Sequence, residues 1–226
     1  MNTNDKHLKD FFERIRHIAS DIEKDLGLPK GFYNELGKEK SDWIYVIMIH
    51  SLLETALSYY LSEEYAKPHL EKTFARLPTA DSSKGKIAFL VGTPLEEYIP
   101  FVKLLSNIRN AFAHDIKNVK LSLNEYLDSD EDTKNQFKSI FDRLVGSAKK
   151  DLYTSDSKLW IYLVIGDILE TIYKRKTHWL AAQISEWLKH SGEKTDTFEF
   201  LSDLPSGTNI SISTPSLSIA AEEEED

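Results

Sequence analysis

The sequence predicts an all-α protein, on three observations. Apolar residues recur at three- and four-residue steps through most of the first 190 positions. Glycine and proline punctuate those stretches, most densely at 27–40 and 92–94. The one segment that alternates like a strand, Asn118 to Leu123, is short.

The elements follow in order. Leu8, Phe11, Phe12, Ile15, Ile18, Ala19 and Ile22 share one helix face, and Gly27 and Pro29 end it. Residues 27–40 hold Gly27, Pro29, Gly31 and Gly37 and read as a loop. Ser41 is placed to N-cap a second helix running to about Glu64. That helix is apolar on most sides, from Trp43 and Ile44 through Ile49, Leu53 and Leu57 to Leu61, so it belongs in the centre of a bundle. A short helical piece at Leu70–Leu77 and a polar linker at 78–83 come next. Lys86 to Val91 form another short helix that Gly92 closes in a left-handed conformation.

Thr93, Pro94 and Glu96 read as N-cap, first-turn proline and capping-box acid of a helix whose buried stripe is Leu95, Tyr98, Phe101, Val102, Leu105, Ile108 and Phe112. Pro100 either kinks this helix or marks its true start. Asn118–Leu123 is expected as a short strand or extended loop, Phe137 to Val145 as a helix, and Asp156 to about His190 as a long helix with a break at 174–177. Beyond Ser191 the composition turns to Ser, Thr, Pro, Gly and acid. The apolar pairs at Phe198–Leu201 and Ile210–Ile212 read as a small hairpin there, and the final dozen residues as disordered. The expected division is therefore a helical domain at 1–190 and a flexible acidic tail at 191–226.

Composition narrows function. The chain of 226 residues is 41% hydrophobic and 29% charged, as globular proteins are. Its longest apolar runs, Trp43–Ile49 and Trp160–Ile165, fall short of the roughly 20 residues of a membrane span. No signal-like stretch opens the chain, and there is no cysteine for a disulfide or a thiolate metal site, so a cytoplasmic protein without membrane contact is expected. The net charge of −9 opposes general coating of nucleic acid. Five of those charges sit in the terminal EEEED, which leaves room for a local basic site.

The densest polar constellation is NIRNAFAHD, residues 107–115. On an ideal helix of about 100° per residue, Asn110 and His114 nearly eclipse, while Arg109 lies about 140° from His114. Ile108 and Phe112 face the core, leaving Arg109, Asn110 and His114 at the sides or outward. One copy makes a sparse site; two copies facing across a dimer axis make a compact one, with paired arginines and histidines. Arginine's fork matches phosphate oxygens, and histidine moves protons near neutrality. With RNA the substrate's 2′-hydroxyl can be the nucleophile, so this chemistry requires neither metal nor cofactor.

The spacing in RNAFAH, 109–114, resembles the signature of the HEPN superfamily, all-α proteins that commonly dimerise and often cleave RNA without metal. The longer stretch 86–123, with its Lys-Ile opening, its Leu and Gly before the helix and its IRNAFAHD end, is similar to the mannitol-operon-repressor branch, as is SLLETALSYYLSEEY at 51–65. The resemblance covers about 41–123. It implies an antiparallel helical bundle and a homodimer. Arg109 would stabilise phosphate, Asn110 would be its polar neighbour, His114 the general base or acid, and Glu54 the acid that pairs with Arg109. It implies a metal-independent endoribonuclease, in a toxin or defence setting, or else a regulatory protein acting through protein contacts, since that branch is described as regulatory. The long helix from Asp156 and the acidic tail have no counterpart in the resemblance.

Competing readings accompany these residues. Arg109 and His114 could merely cap carbonyls and complement the helix dipole. His50, one turn before Glu54, shares its face, but two ligands do not make a metal site. Trp43, Trp160, Trp179 and Trp187 fall on helical stripes and read as core or interface. The basic run KRKTH at 174–178 reads first as a solvated face and second as a contact for RNA or an acidic partner. The acidic tail either solubilises or competes with nucleic acid for a basic cleft.

Overall fold

A computed structural model describes residues 3–65, 68–81, 84–145 and 156–191. The protein is all-α: among the described residues there are helices and turns and no strand. The chain divides into two compact units, 1–184 and 185–226, and of the second only the closing turns of the last helix are described. The tail from 192 onward, with its expected hairpin and acidic end, lies outside the described residues.

Helix α1 (Thr3–Asp25) buries Ile15, Ile18, Ala19 and Ile22. The segment expected to be loop holds a short helix, α2 (Phe32–Leu36), whose start is stabilised from outside its own sequence. Gly31 sits at φ 84 and supplies no side-chain cap. Instead the buried Glu23 carboxylate accepts from the backbone N–H groups of Gly31 at 2.7 Å and Tyr33 at 2.8 Å. Those donors have no partner within the helix, so a carboxylate from the preceding helix both satisfies them and complements the dipole.

Helix α3 (Asp42–Glu64) is capped as expected, with the Ser41 hydroxyl accepting from the Ile44 N–H. It is the one described helix long and apolar enough to cross a membrane, yet most of its residues are buried inside the protein. That is the position of a bundle's central helix. Helix α4 (Glu71–Arg76) packs on it. A 3-10 turn at Lys86–Phe89 then ends before Gly92, which is at φ 79 as its placement predicted.

Thr93 caps only a brief turn, its hydroxyl accepting from the Leu95 N–H, and Glu96 reaches back to the Gly92 N–H. Helix α5 proper is Ile99–His114, so Pro100 marks its start rather than a kink. Trp43 of α3 meets Phe112 of α5, and His50 meets Ser106, so the two helices run antiparallel.

Of the short strand or extended loop expected at 118–123, the strand is not formed. A 3-10 turn spans Ile116–Lys120, and Ser122 opens helix α6 (Leu123–Asp128) with a capping box closed by Glu125. Helix α7 (Glu131–Val145) lays Phe141 against Phe101 and Trp160, with Phe137 packed on Phe141. Helix α8 (Ser157–Ser191) is continuous through 174–177, without the expected break. Its Trp160, Ile161, Val164, Ile165, Ile168, Leu169 and Ile172 complete the core.

Candidate functional site

The end of α5 shows which groups are committed to structure and which are not. Helix C-terminal carbonyls lack intrahelical donors and need others. The Ala111 carbonyl accepts from the Asp115 N–H at 3.2 Å and from the Asn118 amide at 2.9 Å. The Phe112 carbonyl accepts from the Trp43 indole N–H at 2.8 Å. Asp115 turns its carboxylate the other way, accepting from the Lys117 N–H. Neither Arg109 nor His114 caps these carbonyls.

The three motif side chains remain at the surface. Asn110 and His114 are exposed and Arg109 is half-buried, while Ile108 and Phe112 are buried as expected. Arg109 Nη1 donates to Asn110 Oδ1 at 3.1 Å. The structure joins these two by a hydrogen bond, and His114, one turn beyond Asn110, is the last residue of the helix and makes no hydrogen bond to either. The surroundings are unusually apolar for surface: Ile116 is 86% exposed, Val119 44% and Ile44 38%.

The expected pair between Glu54 and Arg109 is not formed. Glu54 Oε1 accepts from the Thr79 hydroxyl at 2.6 Å, and Oε2 faces His50 Nδ1 at 3.6 Å. The hydroxyl of Thr79, from the loop after α4, has captured the carboxylate. The sequence does not reveal Thr79 because nothing local shows that its loop comes back to α3.

Beneath Glu54 lies a buried polar cluster: His50, Ser106, Thr79 and Lys86 are all at or below 5% exposure. The Ser106 hydroxyl donates to the Val102 carbonyl at 2.8 Å, so its oxygen accepts from His50 Nε2–H at 3.1 Å. That assigns the proton to Nε2 in neutral His50. Nδ1 then carries a lone pair, is buried, and has no hydrogen-bond partner. Burial holds the His50 pKa below its ordinary value, Arg109 and Lys86 push it the same way, and Glu54 opposes. Burial likewise lowers the Lys86 pKa against the pull of Glu54. The Lys86 ammonium donates to the Leu77 carbonyl at 2.8 Å.

Ser106, His50 and Glu54 line up in the order of a nucleophile relay, but Ser106 is sealed in the α3–α5 interface with its proton committed to Val102. It has no path to a substrate. Among the described residues, no three His, Asp or Glu side chains gather where a metal could sit.

The basic run at 174–178 is largely neutralised. Lys174 pairs with Glu170 at 2.8 Å, Arg175 forks onto Glu64 at 2.9 and 3.0 Å, and Lys176 pairs with Asp25. Trp160 is core and Trp43 is the half-buried cap of α5; the side chains of Trp179 and Trp187 lie outside the described residues.

No protein-family model, curated protein or solved structure matches this chain. The class that fold and site define is therefore an all-α bundle presenting an uncommitted Arg-Asn pair and a nearby histidine at the end of one helix.

Proposed function

We propose that the protein is a metal-independent endoribonuclease of the HEPN type, working as a homodimer. One observation carries this reading: Arg109, Asn110 and His114 sit at the surface of α5 while Trp43, Asn118 and the Asp115 backbone do the capping. Residues kept at a helix end without a capping task are available for a ligand. The exposed Ile44, Ile116 and Val119 beside them offer apolar area for a second copy. Such a copy would bring a second arginine and histidine to the same cleft.

In that cleft Arg109 holds the scissile phosphate and offsets the charge that builds on its oxygens. One His114 removes the 2′-hydroxyl proton as that oxygen attacks phosphorus. The partner's His114 protonates the departing 5′-oxygen. The products are a 2′,3′-cyclic phosphate and a 5′-hydroxyl, with no external nucleophile consumed. Glu54, tied to Thr79, acts at a distance by its charge rather than by gripping the guanidinium.

The same apolar surroundings support a second reading, in which this face binds a different protein and the chain is a non-catalytic regulator. Single-stranded RNA incubated with the full chain in EDTA separates the two. Cleavage to 2′,3′-cyclic phosphate ends, abolished in both His114→Ala and Arg109→Ala, supports the nuclease. No cleavage of any RNA by the dimeric wild-type protein, or full activity in either variant, refutes it.

A further inference from the structure

The 3-10 turn that follows His114 has three unlike edges. Such a helix has three residues per turn, so side chains three apart lie over one another. In Ile116–Lys120 this stacks Ile116 with Val119 and Lys117 with Lys120, and leaves Asn118 on the remaining edge. That edge faces the protein: the Asn118 amide caps the Ala111 carbonyl at 2.9 Å and ties the turn to the end of α5. The Asp115 carboxylate fixes the start, accepting from the Lys117 N–H at 3.0 Å. The other two edges are exposed, one apolar and one basic. Three residues at about 2.0 Å each set the two lysines about 6 Å apart along the turn.

The charge on the basic edge is not spent within the protein. Among the described residues, neither Lys117 nor Lys120 has a carboxylate within ion-pair distance. The basic run at 174–178, in contrast, is paired with Glu170, Glu64 and Asp25. From 98 to 124 the sequence holds Lys103, Arg109, Lys117 and Lys120 against one acid, Asp115, in a chain whose net charge is −9. Positive charge is therefore gathered along the helix that carries Arg109 and His114 and on the turn beyond it, and a local excess of one sign draws in a chain of the other.

We propose that Lys117 and Lys120 hold successive phosphates of one RNA strand, on one side of the bond that is cut. The proposal rests on the reading of Arg109 and His114 as the site of the scissile phosphate, and it adds the extent of the substrate. The strand continues past His114 along the turn, and each ammonium takes one phosphate as a point charge. Ile116 and Val119, on their own edge, stay free for the second copy. The contacts are to backbone alone, so they position the strand without reading its sequence.

Fluorescence anisotropy of the full chain with a labelled 2′-O-methyl octauridylate, which lacks the nucleophile and is not cut, reads binding apart from catalysis. At about 50 mM salt the double variant Lys117→Gln, Lys120→Gln is expected to bind it tenfold or more weakly than wild type. Each phosphate contact to a single strand contributes about 0.7 to the slope of log K against log salt, so losing two should flatten that slope by about 1.4. Both lysines are exposed, so their replacement leaves the core intact. Lys72→Gln, on exposed α4 surface where Phe74 packs on Tyr65 past the other end of α3, should change neither quantity. On cleavable RNA the double variant should lower kcat/KM for the octamer and leave the dinucleotide UpU, with its single phosphate, unchanged. The proposal is overturned if the octamer does not bind, if the double variant keeps wild-type affinity and salt slope, or if Lys72→Gln weakens binding as much. An octaglutamate peptide that binds as tightly as the octamer also overturns it, by making the face a site for acidic protein. Lysine-dependent binding with no cleavage of any RNA supports the track and refutes the nuclease; cleavage of the octamer that ignores both lysines refutes the track alone.

Discussion

Trp43→Phe should destabilise the protein more than removing either charged group of the motif. The indole N–H is 2.8 Å from the Phe112 carbonyl, in a partly buried position at the close of α5. Phenylalanine keeps a ring but leaves that oxygen without its donor. Leaving a buried acceptor unmet costs about 1–3 kcal/mol, and partial access to water places this site near the lower half of that range. Asn118→Ala removes the amide from Ala111, whose carbonyl retains the Asp115 N–H, so about 1 kcal/mol is expected. Arg109→Ala and His114→Ala remove no cap and should each stay within about 0.5 kcal/mol of wild type. Urea unfolding followed by helical circular dichroism reads the contrast. With a slope of about 2 kcal/mol per molar urea, 1 kcal/mol moves the midpoint by about 0.5 M. If His114→Ala or Arg109→Ala loses as much as Trp43→Phe, those side chains are structural and the site assignment fails.

Other perturbations address the cluster and the loop. His50 has a folded pKa below its ordinary value, so between that value and about 6.5 the unfolded chain binds more protons. Stability should rise with pH across this window, by at most about 1.4 kcal/mol per unit, and flatten above it. His50→Gln, which keeps a donor near Ser106, should remove this slope from urea midpoints measured between pH 5 and 7; an unchanged slope assigns it elsewhere. Gly85→Ala places a methyl group 2.5 Å from the backbone oxygens of both Asp81 and Pro78, and a loss of about 1–3 kcal/mol in thermal or urea unfolding is expected. Glu54→Gln should spare a hydrogen-bond acceptor for Thr79 while removing the charge. RNA cleavage that falls by less than tenfold, against abolition in Arg109→Ala, fits a carboxylate that acts only at a distance.

How legible the fold was depends on how local its causes are. Periodicity found α1, α3, α5, α7 and α8, because each carries its own apolar stripe, and Ser41 and Gly92 did what their residue types allow. Helix α2 escaped because its start is stabilised by Glu23, a residue of another helix. Helix α6 was legible and overlooked: Ser122 followed three residues later by Glu125 is a capping box, hidden by an alternation that read as a short strand or extended loop. At the site, the outward positions of Asn110 and His114 followed from helix geometry alone. The partner of Glu54 did not, since it hangs on where a loop some 25 residues further along the chain comes to rest.

The two polar assemblies around α5 differ in what they imply. At the helix end the Ala111 and Phe112 carbonyls take their donors from Asp115, Asn118 and Trp43, and none comes from the polar side chains of the motif. Inside the α3–α5 interface the reverse holds: His50 Nδ1 is buried without a partner, beside a carboxylate that could share a proton with it. A proton there would turn two opposed acceptors into an ion pair and lessen the pull of Glu54 on Lys86. Burial opposes that proton, and so do the charges of Lys86 and Arg109. At neutral pH the balance therefore leaves His50 neutral. A phosphate arriving at the surface would meet a guanidinium already oriented by Asn110 and not locked to a carboxylate. That arrangement suits transient binding of an anion better than permanent bracing of the helix.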